Sequence, residues 1–183
     1  YVFDITDTAI LEGVLAQCKD LPGVKYIRAG RKSNRKMYEN GTWPEIGKGI
    51  VTAEKGQDAV IFACGIMVAK AMEAAEKLEK EGIRITVVDL FTIKPLDEEL
   101  VVRYAQCTGA AVTAENHNRI GGLYSAVSEV LGRKCPTPVE YVAIEDEFGE
   151  VGPQDYLEER FGLTTARLIE KTKEAIRRKE TVK

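Results

Sequence analysis

The stretch RITVVDLFTIKPLDEELVVRYAQCTGAAVTAENHNRIGGLYSAVSEVL, residues 84–131, contains two successive strand-then-helix units. In the first unit, the apolar run 84–90 precedes Pro95, which we predict to stand at a helix start because its missing N–H costs nothing there. In the second, the run 110–115 precedes a Gly-Gly pair and an apolar stripe at helical spacing. Strands that alternate with helices predict a parallel sheet.

The same alternation continues on both sides of that stretch. Residues 49–54 predict an edge strand, and residues 59–63 predict a buried strand that leads into an amphipathic helix ending at Gly82. A further strand is predicted at 139–144, with two helices after it at 153–161 and 164–178. The pattern therefore predicts an α/β fold, namely a three-layer α/β/α domain with about five mostly parallel strands.

The first part of the chain has a different character. An N-cap at Thr6 or Asp7 predicts a helix to Cys18, and a short strand follows at 24–29. One helix and one strand are too few to bury a core, so we expect residues 1–30 to be the end of an incomplete domain and the chain to be a piece of something longer. The polar residues 31–47 predict a linker, and three side chains are expected to anchor it: Met37, Tyr38 and Trp43.

Composition excludes several classes of function. Charged residues make up 30% of the chain and the formal net charge is -3, so no large basic field is present to hold nucleic acid or an anionic membrane. No apolar run approaches the roughly 18 to 20 residues of a membrane span, and no signal segment is evident. We therefore expect a cytoplasmic protein. One histidine and four widely separated cysteines predict no metal site.

One candidate site lies at the end of the second strand of the quoted stretch. Glu115 and His117 could exchange protons near pH 7, and the N–H groups of Gly121 and Gly122 could hold an anion. The alternative is a structural turn or a subunit contact, which we favour because a single histidine is weak support for a ligand site. The acidic run 145–147 could carry out acid–base chemistry or bind a cation, but a solvated turn after the strand is favoured there.

A second candidate site follows the short strand at 24–29. Arg28 and Arg31 place two guanidinium groups at a strand end, and such groups bind phosphate oxygens well. The alternative is a solvated basic linker. The residues alone leave both open.

Several motifs, in the same order along the chain, resemble the C-terminal region of transketolases and related thiamine-diphosphate enzymes. The resemblance also includes residues 61–69 and the tail 156–163, so it covers most of the chain from Gly47 onward. The motifs are TIKPLD (92–97), TAENH (113–117), IGGL (120–123), SAV (125–127) and EFGE (147–150).

This resemblance implies a division of the chain and a role for each part. Residues 1–30 would end a pyrimidine-binding domain, 31–47 would be a linker and 48–183 would be the transketolase C-terminal domain. Thiamine diphosphate and Mg²⁺ would be held by domains outside this chain, so we expect no catalytic residue, no bound cofactor and no independent activity here. The expected partners are a second copy, in a homodimer, and the N-terminal half or domains of a transketolase.

The resemblance also assigns the candidate residues. Arg31 matches the second arginine of an Ile-Arg-x-x-Arg pattern that binds the sugar phosphate, and Arg28 is a weaker neighbour. The region 115–122 would lie at or near subunit contacts rather than on the thiamine. The whole enzyme would transfer a two-carbon ketol unit between sugar phosphates in the pentose phosphate pathway.

Three alternatives stay open. Deoxyxylulose-phosphate synthase and the β subunit of 2-oxo acid dehydrogenases share these motifs, although the tail from Gly152 to Leu163 is most similar to transketolases and especially to those made as two chains. From a different class, the domain could be a non-catalytic anion-binding module that uses the helix start at Gly121-Gly122.

Overall fold

The computed structural model describes residues 1–31 and 34–181, and its helices and strands follow the predicted alternation. In chain order the elements are β1 (Val2–Asp4), α1 (Thr8–Cys18), β2 (Tyr26–Arg28), β3 (Ile50–Glu54), β4 (Ala59–Ala63), α2 (Met67–Lys80), β5 (Ile85–Asp89), β6 (Thr92–Lys94), α3 (Glu98–Thr108), β7 (Ala111–Asn118), α4 (Leu123–Lys134), β8 (Val139–Ile144), α5 (Gln154–Arg160) and α6 (Thr165–Thr181).

Five strands form the main sheet in the order β3-β5-β4-β7-β8. Strands β5, β4, β7 and β8 are parallel, and β3 is an antiparallel edge strand. The predicted mostly parallel sheet with its edge strand at 49–54 is confirmed. Because parallel strands end at one edge of the sheet, the residues after β4, β5 and β7 meet there.

Helices cover both faces of this sheet, which confirms the three layers. Alternation along β4 shows how the sequence produces them: Ile61 packs with α2 and α6, whereas Val60 and Phe62 pack with α3 and α4. All five residues of β4 are fully buried, as expected for a central parallel strand.

A second, three-stranded sheet joins the N-terminal unit to the main domain. Its order is β2-β1-β6, with β1 parallel to β2 and antiparallel to β6. The fully buried Phe91 of the main domain completes a small apolar cluster with Phe3 and Ile10. The N-terminal unit therefore buries its apolar side chains against the domain that follows it. The sequence analysis predicted neither β1 nor β6.

Three other expectations were wrong in detail. Pro95 does not begin a helix: α3 begins at Glu98, and the side chain of Asp97 accepts a hydrogen bond from Leu100 N at 3.1 Å as its N-cap. Trp43 is 66% exposed and does not anchor the linker, whereas Met37 and Tyr38 pack against apolar clusters. Strand β7 continues to Asn118 because it pairs with Ile144 of β8, so the predicted turn begins later.

Within the described ranges, no helix is both long enough and apolar enough to cross a membrane.

Candidate functional site

The fold brings the two predicted sites together at the carboxyl ends of the strands. A cavity of 70 Å³ is lined by residues of both, among them Arg28, Glu115 and His117, together with the glycine pair 121–122. Arg31 lies next to it, in a 150 Å³ cavity that Arg28 also lines. The residues proposed separately from the sequence are thus neighbours, because the β2-β1-β6 sheet brings the end of β2 to cavities that the end of β7 also lines.

Arg28 is engaged inside the protein. Its guanidinium contacts the carboxylate of Asp4 at 3.2 Å, and the Cys64 thiol donates to the same carboxylate oxygen at 3.4 Å. Burial raises the pKa of Asp4, and the nearby Arg28 charge opposes that rise. Burial and the Asp4 charge likewise raise the pKa of Cys64. Arg28 therefore compensates a buried carboxylate, a role that competes with binding an external phosphate.

Arg31 is exposed at the rim of a larger cleft of 390 Å³. Asn116, at the end of β7, and Gln154, at the start of α5, line the same cleft. Within the part of the chain that the structure describes, Arg31 forms no ion pair. Its side chain is thus exposed at the rim of this cleft.

Glu115 supplies the anion for the predicted helix start. Its two carboxylate oxygens accept from Leu123 N at 2.6 Å and Tyr124 N at 2.8 Å, the first N–H groups of α4. A Cβ on Gly122 would lie 2.7 Å from the carbonyl oxygen of Asn118 and closer still to Glu115 Oε2, so only glycine fits. Burial raises the pKa of Glu115 to about 6, and these two N–H groups oppose the rise. The helix start is capped from within, which favours the structural interpretation over the anion-binding module.

His117 stands on the outer side of this arrangement. Its Nδ1 lies 2.9 Å from the carbonyl oxygen of Asn118 and 4.0 Å from Glu115 Oε2. The side chain is 48% exposed. The geometry thus gives His117 a backbone contact on a side chain that is about half exposed.

The acidic run that follows β8 is paired throughout. Glu145 contacts Arg119 at 3.0 Å, Asp146 accepts from Asn118 Nδ2 at 2.8 Å, and Glu147 contacts Arg160 at 2.9 Å. These contacts fix the turn, as the solvated-turn interpretation expects. Its neighbour Phe148 is 98% exposed and packs against nothing in the described residues.

Two buried aspartates hold the linker in place: Asp7, one of the two predicted N-cap residues, and Asp89, which the sequence analysis did not single out. Asp7 Oδ1 caps α1 at Ile10 N, 3.1 Å, while its Oδ2 accepts from Met37 N at 2.7 Å and Tyr38 N at 2.8 Å. Asp89 Oδ2 accepts from Thr6 Oγ1 at 2.5 Å. The linker backbone at Met37 and Tyr38, a few residues after Arg31, is therefore held in place by Asp7.

Asp89 is fully buried at the end of β5. Its Oδ2 also accepts from the Tyr38 hydroxyl at 2.8 Å, and its Oδ1 has no partner within the described residues. Burial raises the pKa of Asp89 to about 7, against the two hydroxyl donors that lower it. A carboxylate at the end of a buried and mostly apolar strand was the available signal for this residue.

Among residues 1–31 and 34–181, no group of three or more His, Cys, Asp or Glu side chains could hold a metal ion. The buried carboxylates near the strand ends are instead used internally, by Arg28, by α4 and by the linker.

Known proteins resemble this chain in sequence and in structure. The family model for the transketolase C-terminal domain matches residues 47–168. A 6-deoxy-6-sulfo-D-fructose transketolase subunit, SqwH, of Clostridium sp. (strain MSTE9) is 43% identical over 178 residues, which are 97% of this chain and 55% of that protein. A 1-deoxy-D-xylulose-5-phosphate synthase of Heliobacterium modesticaldum is 40% identical over 141 residues, 75% of this chain and 21% of that protein.

A solved structure described as a split gene transketolase, inactive beta4 tetramer, superimposes with a TM-score of 0.90 at 42% identity and covers 96% of this chain and 56% of that one. This chain thus spans about half the length of the transketolase subunits that it matches, and about a fifth of the synthase. The match of the family model to two thirds of the chain, on the predicted three-layer fold, shows that the chain belongs to the transketolase C-terminal domain family.

Proposed function

We propose that this chain is the C-terminal part of a transketolase-like enzyme that acts together with an N-terminal subunit. The observation that carries the proposal is the similarity to a split transketolase over 96% of the chain, which includes the N-terminal unit and linker as well as the family domain. The relative found by sequence is named a transketolase subunit, and the solved structure is described as a split gene transketolase. An enzyme made as two chains needs both for its activity.

Thiamine diphosphate and Mg²⁺ would be held by the N-terminal subunit and by the remainder of the pyrimidine-binding domain. When bound there, the cofactor would supply the chemistry that breaks and forms the carbon–carbon bond. The present chain would contribute the surface that binds the other subunits and one contact with the substrate. Its buried Asp7 and Asp89 would hold the linker that carries this contact. We propose no catalytic step on its own side chains.

Arg31 would hold the terminal oxyanion of the substrate. The support is its exposed position at the rim of the cleft and the use of Arg28 by Asp4. The relatives' names include a sulfonated sugar and a sugar phosphate, whose terminal groups both present three oxygens to a guanidinium fork. The pentose phosphate pathway, expected from the family resemblance, is one setting for such a substrate, and a sulfosugar pathway is another.

Arg31→Met tests this role in the enzyme formed by mixing this chain with an N-terminal subunit. We expect KM for an anionic sugar to rise roughly 10- to 100-fold, since a charge-assisted hydrogen bond is lost. The KM for an uncharged sugar should not change. Equal effects on both sugars would contradict the assignment, and comparing sulfonated with phosphorylated sugars would identify the preferred class.

Subunit association would use the turn at 118–122. The support is that Glu115 and Asn118 hold this turn rigidly while Ile120 at its tip is 56% exposed. The expected homodimer and cytoplasmic location belong to this proposal. Ile120→Asp should weaken self-association in sedimentation velocity, whereas Val51→Asp on the edge strand should not. Unchanged self-association of Ile120→Asp would show that this turn is not part of the subunit interface.

A deoxyxylulose-phosphate synthase is the second candidate function. It is favoured by 40% identity to such an enzyme over 141 residues. Formation of 1-deoxy-D-xylulose 5-phosphate by the mixed subunits, in place of ketol transfer between two sugars, would select it.

A further inference from the structure

The loop between β8 and α5, residues 145–153, exposes apolar side chains to an unusual degree. Phe148 is 98% exposed and Val151 is fully exposed, and Tyr156 in the first turn of α5 is 51% exposed. Single exposed apolar residues are common on protein surfaces, whereas several on one short segment are typical of a surface that binds another protein. The β8–α5 loop is therefore a candidate docking surface.

This loop is held in shape within the chain itself. Arg160 contacts Glu147 at 2.9 Å and Glu150 at 2.9 Å, and the Tyr156 hydroxyl donates to Glu150 at 3.1 Å. The two most exposed apolar side chains each directly follow one of these glutamates. A partner that binds them consequently has little backbone to order, which lowers the entropic cost of association.

The position of the loop indicates which partner would meet it. Gly149, Glu150 and Gly152 line the 390 Å³ cleft that has Arg31 at its rim. The proposed function places the cofactor on the N-terminal subunit and the terminal oxyanion of the substrate at Arg31. Because one small sugar has to reach both, that subunit must approach the rim of this cleft. The β8–α5 loop borders the same rim, so it would face the N-terminal subunit.

The charge of the segment argues against a second copy of this chain as the occupant. Residues 145–160 contain seven acidic residues and one basic residue, Arg160. Asp155 and Glu159 are exposed, and neither forms an ion pair with another described residue. A symmetric contact between two copies would bring these acidic segments together, and like charges oppose such a contact. A partner with lysine or arginine around an apolar pocket is complementary instead.

We propose that the β8–α5 loop binds the N-terminal subunit that carries the cofactor, with Phe148 and Val151 in an apolar pocket rimmed by basic residues. Phe148 is the main contact, because an aromatic ring buries the larger area. The contact holds that subunit beside Arg31, so the substrate site and the cofactor meet across the interface. This inference rests on the proposed function, and it assigns a surface and a chemistry to the association of the two subunits.

Titration calorimetry of the full chain with an N-terminal transketolase subunit, loaded with thiamine diphosphate and Mg²⁺, tests the inference. Phe148→Ser should raise Kd at least about tenfold and Val151→Ser about fivefold, because each removes apolar contact area. Val51→Ser, which changes a valine on the edge strand β3, is the matched control and should leave Kd unchanged.

The basic rim has a test of its own. Asp155→Lys combined with Glu159→Lys should raise Kd about tenfold at low ionic strength, and the effect should shrink as salt is added. Unchanged affinity of this double variant at low salt would overturn the proposed charge complementarity.

Self-association and folding are measured on the same variants. Sedimentation velocity should show unchanged self-association of Phe148→Ser and Val151→Ser, and thermal unfolding shows whether each is folded. Weaker self-association with unchanged affinity for the N-terminal subunit would identify a second copy as the partner and overturn the inference.

Two further outcomes separate this inference from the proposed function. Unchanged Kd in Phe148→Ser, with ketol transfer retained on mixing, would overturn the inference alone. No association of the unsubstituted chain with the N-terminal subunit would overturn both.

Discussion

The hydroxyl of Tyr38, in the linker, donates a 2.8 Å hydrogen bond to the fully buried carboxylate of Asp89 at the end of β5. The same carboxylate oxygen accepts from Thr6 of the N-terminal unit. One buried side chain therefore connects all three parts of the chain. This connection explains how a short αβ unit and a polar linker keep a defined position on the domain that follows them.

Removal of the Tyr38 hydroxyl should destabilise the folded protein. We expect Tyr38→Phe to lower the free energy of unfolding by about 2 kcal/mol at pH 8, because a buried carboxylate loses one of its two donors. The matched control is Tyr156→Phe, whose hydroxyl contacts Glu150 at the exposed surface and should cost less than about 0.5 kcal/mol. Urea denaturation measures both. Equal effects of the two substitutions would refute the role given to Tyr38.

Stability should also depend on pH through Asp89. Burial raises the pKa of Asp89 to about 7 from the usual 3.8, so between these values the folded state holds a proton that the unfolded state releases. Stability therefore falls as pH rises through this window.

Asp89→Asn removes this titration and shows its size. The difference in unfolding free energy, variant minus wild type, should grow by up to about 4 kcal/mol between pH 4 and pH 8. Glu115 and Asp4 have raised pKa values too, and the part of their titration that does not depend on Asp89 is common to both proteins. A difference that stays constant across this range would mean that Asp89 is ionised in both states throughout.

The close approach of Glu115 to Gly122 predicts opposite effects at two glycines of the same helix region. Gly122→Ala should destabilise the protein by about 3 kcal/mol, because the new Cβ displaces the carboxylate that caps α4. A Cβ on Gly132, within α4, meets nothing within 4 Å, so Gly132→Ala should stabilise by about 0.5–1 kcal/mol. If Gly122→Ala behaved like Gly132→Ala, the cap would be unnecessary.

Substitutions of the two arginines, Arg28 and Arg31, should change the stability of the protein to different degrees. Arg28→Met leaves the largely buried Asp4 without its cation, and we expect a loss of about 2 kcal/mol. Arg31→Met should change stability by less than about 0.5 kcal/mol, since Arg31 is exposed. Thermal unfolding of both variants at pH 7 checks this. Greater destabilisation by Arg31→Met would reverse the roles given to the two residues.

The sequence predicted the main sheet well because its information is local. The short apolar runs of β4 and β5, and an N-cap at Asp7, can be identified from neighbouring residues alone. Strand β6 could not be found in that way, because Thr92–Lys94 is short and becomes a strand only by pairing with Val2 and Phe3, about 90 residues earlier.

The candidate site was predicted in part, for a similar reason. Arg31 and Glu115 were found from their positions at strand ends, and the family resemblance indicated which of them meets substrate. The use of Arg28 by Asp4, and of Asp89 by Tyr38, depends on contacts between distant segments that no local pattern encodes. Trp43 was misjudged because aromatic residues in a polar segment are usually anchors, whereas here Tyr38 has that position.

The most direct test of the account is to mix this chain with an N-terminal transketolase subunit, thiamine diphosphate, Mg²⁺ and a pair of anionic ketose and aldose sugars. We expect no ketol transfer from either subunit alone and measurable transfer on mixing, at a ratio that saturates when the subunits are equimolar. Demonstrated association and cofactor binding without any transfer would contradict the claim that this chain completes a transketolase.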